Sequence, residues 1–177
     1  RIKRIVNDLK DFARREEGSG RSLIDLADAA RMAVRLLDAA IRKATGRFAA
    51  VYEPDLPLVW GHAQRIEQVV VNLVLNACQA LPDRDRAIVL EVVHDVEKSQ
   101  VVLAVRDEGM GIAPEHLPHL TDPFFTTKRE TGGTGLGLSV SAGILKEYGA
   151  TLSFHSVPGR GTTAVVAFPV ANMEHAA

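Results

Sequence analysis

Between residues 107 and 138 the chain carries two glycine clusters, Asp107-Glu108-Gly109-Met110-Gly111-Ile112 and Gly132-Gly133-Thr134-Gly135-Leu136-Gly137-Leu138. A loop with Pro123, Phe124, Phe125, Thr126, Thr127 and Lys128 separates them. Glycine inside an ordered element costs roughly 0.5–1 kcal/mol per residue against alanine. Such density implies that backbone must approach something closely, and a polyanionic ligand is the simplest candidate.

Composition narrows the classes of function without naming one. With 177 residues, 46% of them hydrophobic and 24% charged, the chain suits one globular domain with an appended element. A net charge of -1 gives no global attraction to nucleic acid or to an anionic membrane. The single cysteine, Cys78, excludes an internal disulfide and a thiolate zinc cage, as expected in a reducing compartment. No run approaches the roughly 18 apolar residues of a membrane span. The expectation is a cytoplasmic piece without direct membrane contact, even if it belongs to a membrane-bound sensor.

Hydrophobic spacing supplies the elements. Ile2, Ile5, Leu9 and Phe12 keep a three-four spacing from the start with no N-cap ahead of it, so a helix is expected to begin upstream. A solvated helix end and a piece of a dimerising bundle both fit. Glu16-Glu17-Gly18-Ser19-Gly20 has linker composition. Ser22 then stands as an N-cap for a long helix whose face is Leu23, Leu26, Ala30, Val34, Leu37, Ile41 and Ala44, ended by Gly46. Phe48–Tyr52 reads as a strand, and Pro54 and Pro57 break the chain before a helix from about His62 to Leu81. Ala87–His94 and Gln100–Arg106 suggest a hairpin with Asp107 at its exit. A third helix over about Leu136–Tyr148 precedes strands over Thr151–Ser156 and Thr162–Pro169.

The helix from His62 to Leu81 carries the second signal. Ile66, Val69, Val70, Leu73, Ala77 and Leu81 mark its buried side, while Arg65, Gln68, Asn72, Asn76 and Gln79 form a polar stripe. Asn72 lies one turn from Asn76. Asparagine is a mediocre helix former, so two aligned among apolar neighbours suggest that their amides are used, although a wet helix face would look the same.

Five segments now stand in one order: Asn72 to Ala77, Asp107 to Gly111, Asp122 to Lys128, Gly133 to Ser139, and Gly159 to Thr162. They resemble the N, first glycine, F, second glycine and last glycine boxes of sensor histidine kinases. Five in register are far more specific than any one of them. The Phe124-Phe125-Thr126-Thr127-Lys128 form is similar to that of the nitrogen-regulatory and dicarboxylate-sensing branch.

The resemblance implies an α+β fold, a two-layer α/β sandwich of the Bergerat type shared with gyrase, Hsp90 and MutL. Its mixed, mostly antiparallel sheet would be covered on one face by about three helices. Residues 22–177 would be the ATP-binding catalytic domain, 16–21 a linker, and 1–15 the end of a dimerisation and phosphoacceptor helical domain truncated upstream. It further implies ATP and Mg²⁺ as cofactors. Asp107 would accept from the adenine amino group, with Gly109, Gly111 and Ile112 packing backbone against the ring, and a charge-assisted bond of that kind contributes about 1.5–3 kcal/mol. Taken alone, Asp107 reads equally as a turn aspartate. Thr162 would support the base through water, or serve as a plain strand residue. Asn76 would hold Mg²⁺ through its amide oxygen, with Asn72 nearby. Gly133, Thr134, Gly135, Leu136, Gly137 and Leu138 would offer N–H groups to phosphates at a helix N-terminus. Thr126, Thr127 and Lys128 would come from a lid, with Lys128 either on phosphate or solvated, and Phe124 and Phe125 packing that lid.

Phosphoryl transfer to a histidine is the reaction this pattern implies. In gyrase-like relatives a glutamate stands one turn before the magnesium asparagine; here it is Asn72, which cannot take a proton from water, so hydrolysis is disfavoured. Transfer to imidazole needs mainly positioning and charge stabilisation. The implied partners are the chain's own phosphoacceptor domain, a response-regulator receiver domain and a second protomer in a full-length homodimer. None of the six histidines sits in a His-Glu/Asp-aliphatic-x-Asn/Thr-Pro setting, so the acceptor is expected elsewhere. His116 and His119 lie three apart without further metal-type ligands and read as surface residues. Two alternatives remain: a serine kinase and binding module like the anti-sigma-factor kinases, and a regulator that binds nucleotide without transferring phosphate.

Overall fold

The computed structural model describes residues 21–126 and 134–172. The helix expected over the first 15 residues and the linker after it lie outside these. The chain order is β1 (Ser22–Ile24), α1 (Leu26–Leu36), α2 (Asp38–Ala44), β2 (Arg47–Tyr52), β3 (Val59–Gly61), α3 (Ala63–Ala80), β4 (Ala87–Asp95), β5 (Gln100–Asp107), a 3-10 helix (Pro114–His119), α4 (Gly137–Glu147), β6 (Thr151–Val157) and β7 (Gly161–Pro169).

Five strands form the main sheet in the order β2-β4-β5-β7-β6, and β1 pairs with β3 in a second, two-stranded sheet. Only β2 runs parallel to its neighbour in the large sheet; the other pairings are antiparallel. The alternation of β4, β5 and β7 turns Ile88, Leu90, Val92, Val101, Leu103, Val105, Val166 and Phe168 inward. Glu91 and Arg106 point to the exposed side. Against the inward face lie Leu26, Ala30, Ile66, Val70, Leu73, Val74, Ile144 and Leu145, which fuse into one core. Helices thus cover one face of a largely antiparallel mixed sheet, as the sequence implied.

The start of the described chain departs from expectation. Ser22 is not an N-cap but opens β1, pairing with Gly61 while Ile24 pairs with Val59. The cap is Asp25, whose side chain accepts from Ala27 N at 2.8 Å and Asp28 N at 3.2 Å. A strand can use Leu23 and Ile24 without a helical phase, so their apolar character misleads when read as helix period. The long helix is also divided at Leu37 (φ -95°, ψ 5°), and both Leu37 and Ile41 are buried. Among the described residues the division gives four α-helices where about three were expected. The short strand β3 carries too few residues to show a period and was not expected.

Candidate functional site

Three segments converge along α3. At its C-terminal end Ala80 O accepts from Met110 N at 3.0 Å, which docks the first glycine cluster onto the helix. Two turns earlier, Asn72 Nδ2 donates to Gly137 O and to Ser141 Oγ, both at 3.0 Å, which docks the start of α4. Asn76 stands between, one turn from each and half-buried. Eight residues of helix span roughly 12 Å, so one helix face spaces the two glycine clusters on the scale of an extended nucleoside triphosphate.

At the Ala80 end, Asp107 closes β5 and is 6% exposed. Its Oδ1 accepts from Gly109 N at 2.8 Å and from Thr162 N at 3.3 Å. A carboxylate oxygen is an acceptor, so both backbone N–H groups find a partner at this buried position. Crowding explains three glycines here, and at Gly109 an added Cβ would overlap Asp107 Oδ1 and Ala80 O. Gly161 (φ 98°) sits so close that an added Cβ would overlap Asp107 O, and at Gly111 (φ 70°) it would overlap Val157 O. Ile112 N donates to Ser156 Oγ at 2.8 Å, and that oxygen lies 2.9 Å from Thr162 Oγ1. Ser156 was missed in the sequence; its only signal was its place five residues before Gly161.

The F segment and the second glycine cluster meet directly. Phe124 N donates to Gly135 O at 3.0 Å, with Phe124 itself at φ 66° and 62% exposed. Gly135 (φ 69°) has no room for a Cβ because the Phe124 and Phe125 backbone fills that space. His119 Nδ1 lies 2.8 Å from the Asp122 carboxylate, and the His116 and His119 rings both stand 5.7 Å from Phe125. The two histidines therefore buttress the loop. Among the described residues no group of three or more His, Cys, Asp or Glu could hold a metal ion.

At α4 the first turn follows Leu136, which supplies no side-chain cap. The N–H groups of that turn point where the dipole favours an anion. Thr134, Gly135, Leu136, Gly137 and Leu138 are all half-buried around this end, and Thr126 is half-buried at the close of the F segment. Thr127, Lys128 and Gly133 lie outside the described residues. A shallow concavity of about 410 Å³ between α2, β2 and Arg84 contains none of these motif residues.

Residues 61–172 match the profile of the family described as histidine kinase-, DNA gyrase B-, and HSP90-like ATPases. The chain belongs to this family. A protein of Shewanella frigidimarina named as a sensor is 35% identical over 174 residues, covering 98% of this chain and 26% of the relative. The sensor histidine kinase YkoH of Bacillus subtilis is 33% identical over 185 residues, covering 97% of this chain and 37% of the relative. The chain therefore spans about a quarter to somewhat over a third of the length of these curated relatives. Among solved structures, the catalytic domain of the histidine kinase ThkA superposes with a TM-score of 0.74 at 26% identity, covering 86% of this chain and 97% of that one. The ATPase family and the two-layer sandwich are thus as the motifs implied. ATP is the ligand class that this membership carries.

Proposed function

We propose that the chain is the ATP-binding catalytic domain of a sensor histidine kinase. It would transfer the γ-phosphoryl group of ATP to a histidine on a separate helical domain, for onward transfer to a response-regulator aspartate. The observation that carries the reading is the single face of α3 on which Ala80 holds the first glycine cluster, Asn72 holds the second and Asn76 stands between. The family match and the relatives named as sensor kinases support it. Residues 22–177 would form this domain, with 1–15 the end of the helical domain and 16–21 the linker. The histidine would lie in that helical domain, and the full-length protein would be a homodimer acting at the cytoplasmic side.

In this reading Asp107 accepts the adenine amino group, and Gly109, Gly111 and Ile112 present backbone to the ring. Thr162 assists on the same side. The N–H groups at the start of α4, with Gly133, Thr134, Gly135, Leu136, Gly137 and Leu138, receive the phosphates. Thr126, Thr127 and Lys128 would approach from the lid segment. Asn76 offers an amide oxygen, the hard donor type that Mg²⁺ takes beside phosphate oxygens and water. Such a Mg²⁺, held by Asn76 beside Asn72, would neutralise phosphate charge. Asn72, with both amide protons directed at α4, fixes the helix that carries the phosphate donors. No residue near Asn76 on this face is a base for water, so transfer to an incoming imidazole is favoured over hydrolysis.

The test is reconstitution with the helical domain from the full-length protein, ATP and Mg²⁺. Acid-labile, base-stable phosphate on histidine is expected. Phosphoserine, or nucleotide binding with no transfer, would contradict the reading.

A further inference from the structure

Among the described residues β2 pairs with β4 alone and so forms one edge of the main sheet. Two hydrogen bonds fix which of its amides look outward. Just past the strand, Glu53 N donates to Val92 O at 2.9 Å. At the other end Arg47 N donates at 2.8 Å to Thr45 Oγ1, which itself bonds Arg86 O just ahead of β4. The odd-numbered amides of this stretch therefore face β4. The N–H and C=O groups of Phe48, Ala50 and Tyr52 face the open edge, where they can template a further strand.

From Arg47 to Glu53 the chain is self-complementary about Ala50: a cation, an aromatic and a small residue precede it, and an aliphatic, an aromatic and an anion follow. We propose that β2 pairs antiparallel with β2 of a second copy of this chain, about a two-fold axis at Ala50. Phe48 then faces Tyr52 of the second copy, Ala49 faces Val51, and Arg47 faces Glu53. Phe48, Ala50 and Tyr52 fall at hydrogen-bonded positions, so every outward amide gains a partner. Phe48 and Tyr52 are half-buried on the helix side, and each would cover the other's remaining surface. The concavity of about 410 Å³ beside Ile41 and Phe48 leaves room for the opposing Tyr52 ring. On the outer side Val51, 52% exposed, is met by Ala49. Arg47 donates to Asp85 O at 3.0 Å and stands 3.8 Å from Glu108, while Glu53 accepts from His94 N at 2.8 Å. A guanidinium with five donors and a carboxylate with two oxygens keep capacity for each other beyond these bonds. A slip of two residues would set both charges against unlike partners, and a parallel pairing would set like charges side by side, so the charges select this register. The contact is separate from a homodimer through the helical domain. It also leaves the site along α3 clear, because β5, which carries Asp107, is the third strand from this edge.

The experiment is sedimentation equilibrium of the 177-residue chain. A small interface of this kind should give a monomer–dimer equilibrium between about 10 μM and 1 mM. Arg47→Glu and Glu53→Arg each place like charges opposite one another and should weaken association about tenfold or more. The double exchange of both residues should restore it to within about threefold of native. Cysteine pairing tests the register independently of those charges, with both variants made in a Cys78→Ser background. Ala50→Cys sets two thiols across the axis at the Cα spacing of about 5.5 Å of a hydrogen-bonded pair, and mild oxidation should yield a disulfide-linked dimer. Ala49→Cys faces Val51 and should not. Circular dichroism confirms folding, and the cysteine pair decides the matter if a charge variant does not fold. A chain monomeric throughout that range would overturn the proposal. So would a dimer indifferent to the single charge reversals, or equal cross-linking of the two cysteine variants.

Discussion

Asn72 is bonded to Gly137 across 65 residues of sequence, its Nδ2 donating to the glycine carbonyl at 3.0 Å while also reaching Ser141 Oγ. The asparagine therefore sets the position of α4 against α3 in addition to any contact with ligand. Ser141 is completely buried and itself donates to Gly137 O at 2.9 Å, so the three groups form one closed cluster. Replacing Asn72 with Ala should destabilise the chain by about 1–3 kcal/mol, because Ser141 and Gly137 lose a buried partner. Thermal melting without nucleotide reads the loss; an unchanged melting temperature would show that the cluster contributes nothing.

Glycine substitutions separate conformational need from mere composition. At Gly161 and Gly111 a positive φ coincides with backbone that would overlap a Cβ, so Gly161→Ala and Gly111→Ala should each cost more than about 3 kcal/mol or prevent folding. Gly143, inside α4, has nothing within 4 Å of its Cβ position. Gly143→Ala should stabilise by about 0.5–1 kcal/mol. Urea denaturation of the three variants checks the ordering.

Much of this arrangement was legible in the sequence where spacing and chemistry agreed. The α3 face, the β4–β5 hairpin and Asp107 at its exit all follow from periods long enough to count. Ser22 and Asp25 misled because two residues with capping chemistry stood three apart, and only pairing with the distant Gly61 decides that Ser22 is in a strand. The Ser156 network was invisible for the same reason: its partners Ile112 and Thr162 lie on different segments. His116 and His119 were read as surface residues, and their contact with Phe125 needs the fold of the 3-10 turn to appear.

Cys78 lies half-buried on α3, and burial pushes its thiol above the ordinary value. The thiolate is the reactive form, so alkylation by iodoacetamide near pH 8 should be several times slower in the folded chain than in urea. Mass spectrometry over a time course measures it. Equal rates would contradict the burial.

Asp95 has a partly exposed side chain, and hydrogen bonds from the Lys98 side chain and backbone hold its carboxyl below the ordinary 3.8. Its folded pKa is depressed, so the stabilisation is complete above the unfolded pKa and is lost as pH falls through the folded one. NMR titration should place the Asp95 midpoint below that of an unstructured aspartate, and Lys98→Ala should return it upward. A midpoint unmoved by that substitution would contradict the assigned cause.

The most direct measurement is calorimetric titration of Mg-ATP into the native chain, Asp107→Ala and Asn76→Ala, with circular dichroism to confirm that each variant is folded. Saturable one-site binding by the native chain is predicted. Asp107→Ala should abolish it and Asn76→Ala should remove its dependence on Mg²⁺. No heat of binding at millimolar ATP, or equal binding by all three proteins, would contradict the account.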